Sequence, residues 1–461
     1  MAQNFLSCDR DQPLLLPPDL RDWLPEDHLA WFVIASVEAL DLSAFDASYR
    51  SDGHGAPAHD PRMMVTLLLY AYATGERSSR GIERRLREDV AYRVIAANRV
   101  PDHATVARFR ARHEDALAAL FGQVLGLCVQ AGIASAAVVA VDGTKVAADA
   151  SGRQGKGYEE IAREIVEQAG RIDAEEDERY GERRGDELPE ELSTRRGRAE
   201  WIREALHRQR QEREADPEPL PSGRAERLEL CRARLAADHR TVVAAHRDYD
   251  RKRSAAPRGR PPQPASPPAR PEGEINLTDP DSRQMRSPHG HLQGYNAQAL
   301  ANESQVVIAA EVLTDANDSR ALAPMVEMAA EELERAGSTE RLGAVLADAG
   351  YWSAEQIDRV REGPTVPLVA PGGHARGAPG PGGGTGPSGF MRRALGSPTG
   401  AALYPRRQWM IEPVFADIKV NRRAGRFRRR GLRAVRSEWR LLTATHNLLK
   451  LHRHRLALAA G

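Results

Sequence analysis

Two stretches of this 461-residue chain cannot join a packed core, and they fix how the rest is divided. Pro257 to Pro271 holds seven prolines in fifteen residues, which reads as an extended linker. Pro371 to Gly389 holds thirteen Gly or Pro among nineteen residues and no acid, too little apolar surface to offset the entropy of ordering it. What folds must be assembled from the segments around them, enough chain for two or three domains at about 100 to 200 residues each.

Residues 24–129 repeat apolar side chains at helical spacing: Leu29, Phe32, Val33 and Val37, then Met63, Met64, Leu67, Leu68 and Tyr72. Val106, Phe109 and His113 continue the pattern through Leu117, Leu120, Phe121 and Leu125. This predicts an all-helical N-terminal domain. Beyond it, the short apolar runs 136–142, 305–313, 342–348 and 365–370 read as buried strands. Helical patterns at 319–336, 353–361 and 404–421 alternate with them, so the class expected is an α/β sheet with flanking helices. Between the first two strands, residues 152–253 have few β-branched clusters, and 152–200 carry fifteen acids against ten bases, which reads as long solvated helices. The division expected is a helical domain over 1–130, an α/β domain over 134–151 and 275–461, and a helical insertion over 152–272 ending in the Pro-rich linker.

Lys plus Arg is 66 and Asp plus Glu is 65, but this balance hides an asymmetry: from Tyr404 onward there are fifteen bases and three acids. No apolar run approaches the ~18 residues of a membrane-spanning helix; the longest, Met63 to Ala73, contains Thr66. The first thirty residues lack the pattern of a secretion signal, so the expected location is the cytoplasm. Cys8, Cys128 and Cys231 form no CxxC or Cys/His spacing, which supports neither a disulfide framework nor a structural zinc.

Two strands end in aspartate, Asp142 in Val-Asp-Gly-Thr-Lys and Asp348 in Leu-Ala-Asp-Ala-Gly-Tyr-Trp. Functional groups gather at the carboxyl ends of strands in open α/β sheets, and two carboxylates there could share a divalent metal. Either aspartate alone also suits the start of a turn. A third element is Tyr404-Pro-Arg-Arg-Gln-Trp-Met-Ile-Glu412-Pro-Val-Phe-Ala-Asp-Ile-Lys419, whose Glu412 and Lys419, seven apart, fall near one face of a helix. Glu412 also suits a solvated partner of Arg406, Arg407, Arg422 and Arg423, and Pro413 demands a kink or an early helix position. Asp279, Asp281, Asp315 and Asp318 read as turn or cap residues, and His103, His289, His291 and His446 as surface or hydrogen-bonding groups. Asp102 to Arg112 has the look of a helix-turn-helix second helix, with Thr105, Arg108 and Arg112 on one side, or of an ordinary amphipathic helix. The eight arginines from Arg422 to Arg436 are costly to hold together without a polyanion.

In combination, Asp142 in VDGTK, Asp348 in LADAGYW and the Glu412 segment resemble the DDE transposases of bacterial insertion sequences. The tail from Arg430 to Lys450 resembles the closing helices of that group, and Asp60-Pro-Arg, Ser79-Arg-Gly-Ile-Glu, Asp89-Val-Ala-Tyr-Arg and Pro101-Asp-His-Ala-Thr resemble its N-terminal domain. The resemblance covers residues 1–150 and 275–461 and implies an RNase H-like mixed sheet interrupted by the insertion. It implies Asp142, Asp348 and Glu412 as catalytic ligands of Mg²⁺ or Mn²⁺, with cleavage and strand transfer at terminal inverted repeats and target DNA. The implied double-stranded DNA contacts are Tyr404, Arg407, Lys419, Arg422, Arg423, Arg426 and Arg429. Arg108 and Arg112 add to these from the N-terminal domain, in a homo-oligomer working at the nucleoid. The family spacing Tyr-x2-Arg-x3-Glu-x6-Lys stands here with four residues between Arg407 and Glu412, and the Gly/Pro tract replaces a basic connector. A decayed copy that binds DNA without cutting it is the alternative.

Overall fold

The computed structural model describes residues 20–49, 58–180, 220–221, 223–255, 266–287, 290–371 and 386–460. Cys8, His289, most of the Pro-rich linker and residues 372–385 of the Gly/Pro tract lie outside the described residues.

Among the described residues a 3-10 turn (Leu20–Trp23) is followed by the α-helices α1 (Leu29–Glu38), α2 (Ser43–Asp46), α3 (Pro61–Ala73), α4 (Ser79–Glu88), α5 (Val90–Ile95), α6 (His103–Arg112) and α7 (Glu114–Gln130). Asp60, Ser78, Asp89 and Asp102 each accept a backbone N–H from the first turn of the helix they precede, which is why those helices begin there. The pattern that runs on from Val106 to Leu125 is two helices, broken at His113, whose ring lies against Phe45, Tyr49 and Phe109.

The sheet strands are β1 (Val138–Ala147), β4 (Arg283–Ser287), β5 (Gly290–Asn302), β6 (Val307–Leu313), β7 (Ala344–Ala347) and β8 (Val366–Val369). Strand β1 is central, antiparallel to β5 and parallel to β7; β6 and β4 pair antiparallel with β5, and β8 parallel with β7. This mixed sheet meets the α/β expectation, with differences. Strand β1 runs five residues past Asp142, and neither β4 nor β5 has a counterpart among the expected strands. Strand β5 is small and polar rather than β-branched, yet Asn296, Gln298 and Asn302 on it are at most 1 % exposed.

After β1 the chain departs through β2 (Gly155–Gly157), α8 (Tyr158–Tyr180), α9 (Arg224–Ala255) and β3 (Glu274–Asn276). Pairing of β2 with β3 closes the base of this excursion, over a small core of Ile161, Leu228, Cys231, Leu235, Ile275 and Leu277. Helix α10 (Leu322–Arg335) follows β6 and α11 (Ala354–Arg361) follows β7. The chain ends with α12 (Pro387–Gly396), α13 (Pro398–Leu403), α14 (Arg406–Ala416) and α15 (Leu432–Ala460). The end of the Gly/Pro tract thus contributes the first turn of α12.

The N-terminal helices do not close a core of their own. Leu67 and Phe121 share one apolar cluster with Ala299 of β5, Ile411 of α14 and Trp439 of α15. The opposite sheet face packs Val141, Ile308 and Val345 against Met325 of α10 and Tyr351.

Candidate active site

Side chains alternate across a strand, so Asp142 shares the face of Ala140 and Val146, which belong to the cluster that includes α14. The β1/β7 register pairs Ala140 with Leu346 and, carried on by two residues, sets Asp142 opposite Asp348. Asp348 follows β7 and accepts the Gly350 N–H at 2.8 Å. Burial is the main force pushing the Asp142 carboxyl up to about 6; the charges of Asp348 and Asp318 add to it, while the Gly143 N–H (2.8 Å) and Arg407 oppose it.

The start of α14 closes on this pair. The Tyr404 hydroxyl donates to the Ala347 carbonyl at 3.2 Å, and Arg407 Nη1 lies 3.5 Å from Asp142 Oδ2. Lys419 Nζ donates to Thr144 Oγ1 at 2.9 Å and to the Lys145 carbonyl at 3.2 Å. Burial lowers its pKa. Glu412 is exposed, and its side chain makes no hydrogen bond or ion pair among the described residues. Lys419 reaches the β1 strand from a π-helical turn, Asp417–Asn421, that continues α14.

Pro413 has no N–H to offer the carbonyl four residues back, that of Trp409. Gln305 Nε2 takes its place at 2.8 Å from the β5–β6 turn, where Gln305 has φ +61°. Gln305 Oε1 in turn accepts from Lys450 Nζ at 2.5 Å. The π turn is anchored by Asp417, which faces His446 Nδ1 at 3.0 Å and Arg422 Nε at 3.1 Å. Burial alone would raise Asp417, but these two neighbours hold it well below the usual carboxylate range.

On the opposite sheet face lies a polar layer that the sequence did not announce. Asp318 Oδ1 accepts from Asn296 Nδ2 (2.6 Å) and Gln298 Nε2 (2.7 Å) and sits 3.5 Å from Lys145 Nζ. The Tyr351 hydroxyl donates to Gln298 Oε1. Asp318 does cap a turn, its carbonyl accepting the Ala321 N–H at 2.9 Å, but its carboxylate serves this layer. The one sequence signal was the run of amides among small residues in β5. Gly143 is required above it: a Cβ there would lie 2.2 Å from Gln298 Nε2 and 2.8 Å from Asp318 Oδ1.

Two family models match the chain: a transposase domain (DUF772) over residues 18–112 and a transposase DDE domain over 235–448. Together they take in more than half of it. The chain belongs to the insertion-sequence DDE transposases. The DDE match contains Asp348 and Glu412, while Asp142 lies ahead of it. No curated protein and no solved structure matches the chain.

The arginines from Arg422 to Arg436 of this transposase are held in different ways. Arg429 pairs with Glu114, Arg430 with Asp149 (3.0 Å), Arg433 with Asp115 (2.5 Å) and Arg436 with Glu311. The cluster is therefore held together largely by acids of the same chain, which corrects the expectation that a polyanion is needed for that. Arg422, expected on DNA, is 3 % exposed and donates to the Leu442 carbonyl (3.1 Å) and Thr445 Oγ1 (2.8 Å). Arg423, Arg426 and Arg428 are exposed and pair with no acid among the described residues. On α6, Arg108 and Arg112 are both exposed; Arg108 donates to Thr105 Oγ1 at 3.3 Å, and Arg112 stacks over Tyr49 at 4.9 Å and donates to the Ser48 carbonyl.

Asp142 and Asp348, side by side on parallel strands, offer the hard oxygen donors that suit Mg²⁺ or Mn²⁺. Among the described residues, no group of three or more His, Cys, Asp or Glu could hold a metal ion. Two of the three implied ligands therefore fit, and the structure does not bring Glu412 to them.

Proposed function

We propose that this transposase binds the terminal inverted repeats of its element as double-stranded DNA, cuts there by metal-dependent hydrolysis and joins the freed 3′ end to a target. The observation that carries this reading is the Asp142–Asp348 pair on adjacent parallel strands, flanked by Tyr404, Arg407 and Lys419. A sheet of antiparallel strands around β1 extended by two parallel crossover strands supports an RNase H-like catalytic domain, interrupted after β1 by the insertion. Asp142 and Asp348 would hold Mg²⁺ or Mn²⁺, with Glu412 as the third ligand. Such ions, when bound, stabilise the entering and leaving oxygens of an in-line displacement.

The chain's own groups then have defined parts. Arg407, after the Gly143 N–H, opposes the burial that raises Asp142, and offers a fork for a phosphate oxygen. Lys419, half-buried beside Thr144, supplies a fixed positive point along the same strand. Cutting at two ends fits a homo-oligomer on DNA, working in the cytoplasm at the nucleoid.

A second reading, a copy that binds DNA without cutting, is favoured by the unengaged Glu412. A cleavage assay with purified protein, Mg²⁺ and DNA from the flanks of its own gene, run beside Glu412→Gln, separates the two. Nicking lost in the variant supports the enzyme and its third ligand; binding without nicking in the unaltered chain supports the second reading.

A further inference from the structure

The ion pair of Arg77 and Glu438, at 2.7 Å, has side chains only 4 % and 0 % exposed. Burying two charges costs several kcal/mol per ion unless further hydrogen bonds compensate, so their other partners are informative. Arg77 Nη1 also donates to the Arg426 carbonyl and Nη2 to the Arg423 carbonyl, both at 2.9 Å. Glu438 Oε2 accepts the backbone N–H of Arg428 at 2.9 Å and of Arg429 at 3.1 Å. All four partners are main-chain groups of one loop, 423–429.

That loop is held from its other side by the end of β1. The Ala147 N–H donates to the Gly425 carbonyl at 3.1 Å, and the Phe427 N–H to the Ala147 carbonyl at 2.8 Å. Arg77 is itself fixed, its carbonyl accepting from the buried Arg110 at 2.7 Å. Gly75, at φ +84°, brings the preceding turn so near that a Cβ there would lie 3.3 Å from the Arg422 Cα. With the main chain captured inward, the side chains of Arg423, Arg426 and Arg428 remain exposed and without an acidic partner among the described residues. They stand at the end of the strand that carries Asp142. Three unpaired guanidinium groups on a braced loop suit a phosphodiester backbone.

We propose that Arg77 is a positioning residue: with Glu438, and without touching DNA, it holds loop 423–429 so that Arg423, Arg426 and Arg428 grip DNA phosphates. The N-terminal helices are thereby coupled to the hold of the catalytic sheet on its substrate. This inference rests on the DNA-binding reading above.

The test measures affinity of the full chain for a double-stranded oligonucleotide from the element end across a salt series. Arg423→Gln/Arg426→Gln/Arg428→Gln should lower the slope of log affinity against log salt by about 2 to 3, at about 0.9 per phosphate contact. Arg77→Met/Glu438→Leu, which strands no lone buried charge, should lower it as much. Adding the triple change on top should lower it no further. Arg77→Lys, which keeps the charge but not the fork to both carbonyls, should fall between, and it carries the comparison if the apolar pair does not fold. Hydrogen exchange at the Arg428 and Arg429 amides should quicken in the Arg77 variants while α15 stays protected. A triple variant that changes the slope beside folded Arg77 variants that do not would overturn the inference alone. A wild-type chain with no salt-dependent DNA binding would instead overturn the reading beneath it.

Discussion

Asp142 sits on a strand hydrogen-bonded on both edges, to β5 and to β7, whereas Glu412 sits on a helix whose ladder is broken at the next residue by Pro413. In sequence the two acids look alike, each closing a short apolar run. Their placement differs in origin. The strand residue is fixed by main-chain pairing, and its neighbour Asp348 is set by the register. Helix α14 buries Met410, Ile411, Val414 and Phe415 in the apolar cluster, and its polar anchors are side-chain contacts: Tyr404 to β7, Gln305 to Trp409, His446 and Arg422 to Asp417. The sheet half of the candidate site is therefore set by main-chain pairing, and the helix half by apolar packing together with a few side-chain anchors.

The largest effect is expected on the sheet half. Asp142→Asn removes a proposed ligand and no DNA contact, so nicking should fall below detection while end binding holds within about twofold. Asp318→Asn, on the opposite face, should leave nicking measurable. If Asp142→Asn cuts at the wild-type rate, or if the two variants behave alike, the assignment of faces fails.

On the helix half, Asp417→Asn should cost about 3 kcal/mol of stability at neutral pH, since it leaves Arg422 buried without its charge partner. The folded carboxyl is held below its unfolded value of about 3.9, so its contribution is present above that value and lost as pH falls through the folded one. The gap between wild type and variant in denaturant unfolding should therefore narrow below about pH 4. A gap that stays constant into acid would remove the ion-pair account. Gly143→Ala is a smaller test of the sheet half: overpacking against Gln298 and Asn296 should cost about 1 to 3 kcal/mol in thermal or denaturant unfolding.

The sequence made the parallel strands and most helices legible because each is a plain apolar run or repeat. It hid β5, since a strand of Ala, Gln and Asn carries no β-branched signal and its burial depends on β1 and β6 covering both edges. The Asp pair was readable from strand ends, although Asp142 lies within β1 rather than at its end. Asp318 was not readable: its turn sequence is ordinary, and its role arises from amides donated by a strand about twenty residues earlier. The basic tail misled in the same way. Net charge along the chain cannot show that Glu114, Asp115, Asp149 and Glu311 return to neutralise it.

The smallest effect expected is the most specific to the contrast between strand and helix. If Gln305 holds α14 by replacing the donor that Pro413 lacks, Gln305→Glu should weaken that hold. It keeps an acceptor for Lys450 but sets an oxygen against the Trp409 carbonyl. One hydrogen bond is worth about 1 kcal/mol, so nicking should slow about fivefold with DNA affinity unchanged. Pro413→Ala restores an N–H that can bond the Trp409 carbonyl within the helix, which makes Gln305 dispensable there. In the Pro413→Ala background, Gln305→Glu should therefore cost almost nothing, and a double-mutant cycle on nicking rate should return a coupling near the whole single-variant loss. Equal losses in both backgrounds would mean that Gln305 acts through Lys450 or through its turn, and that α14 is placed by its apolar face with Tyr404 and Asp417.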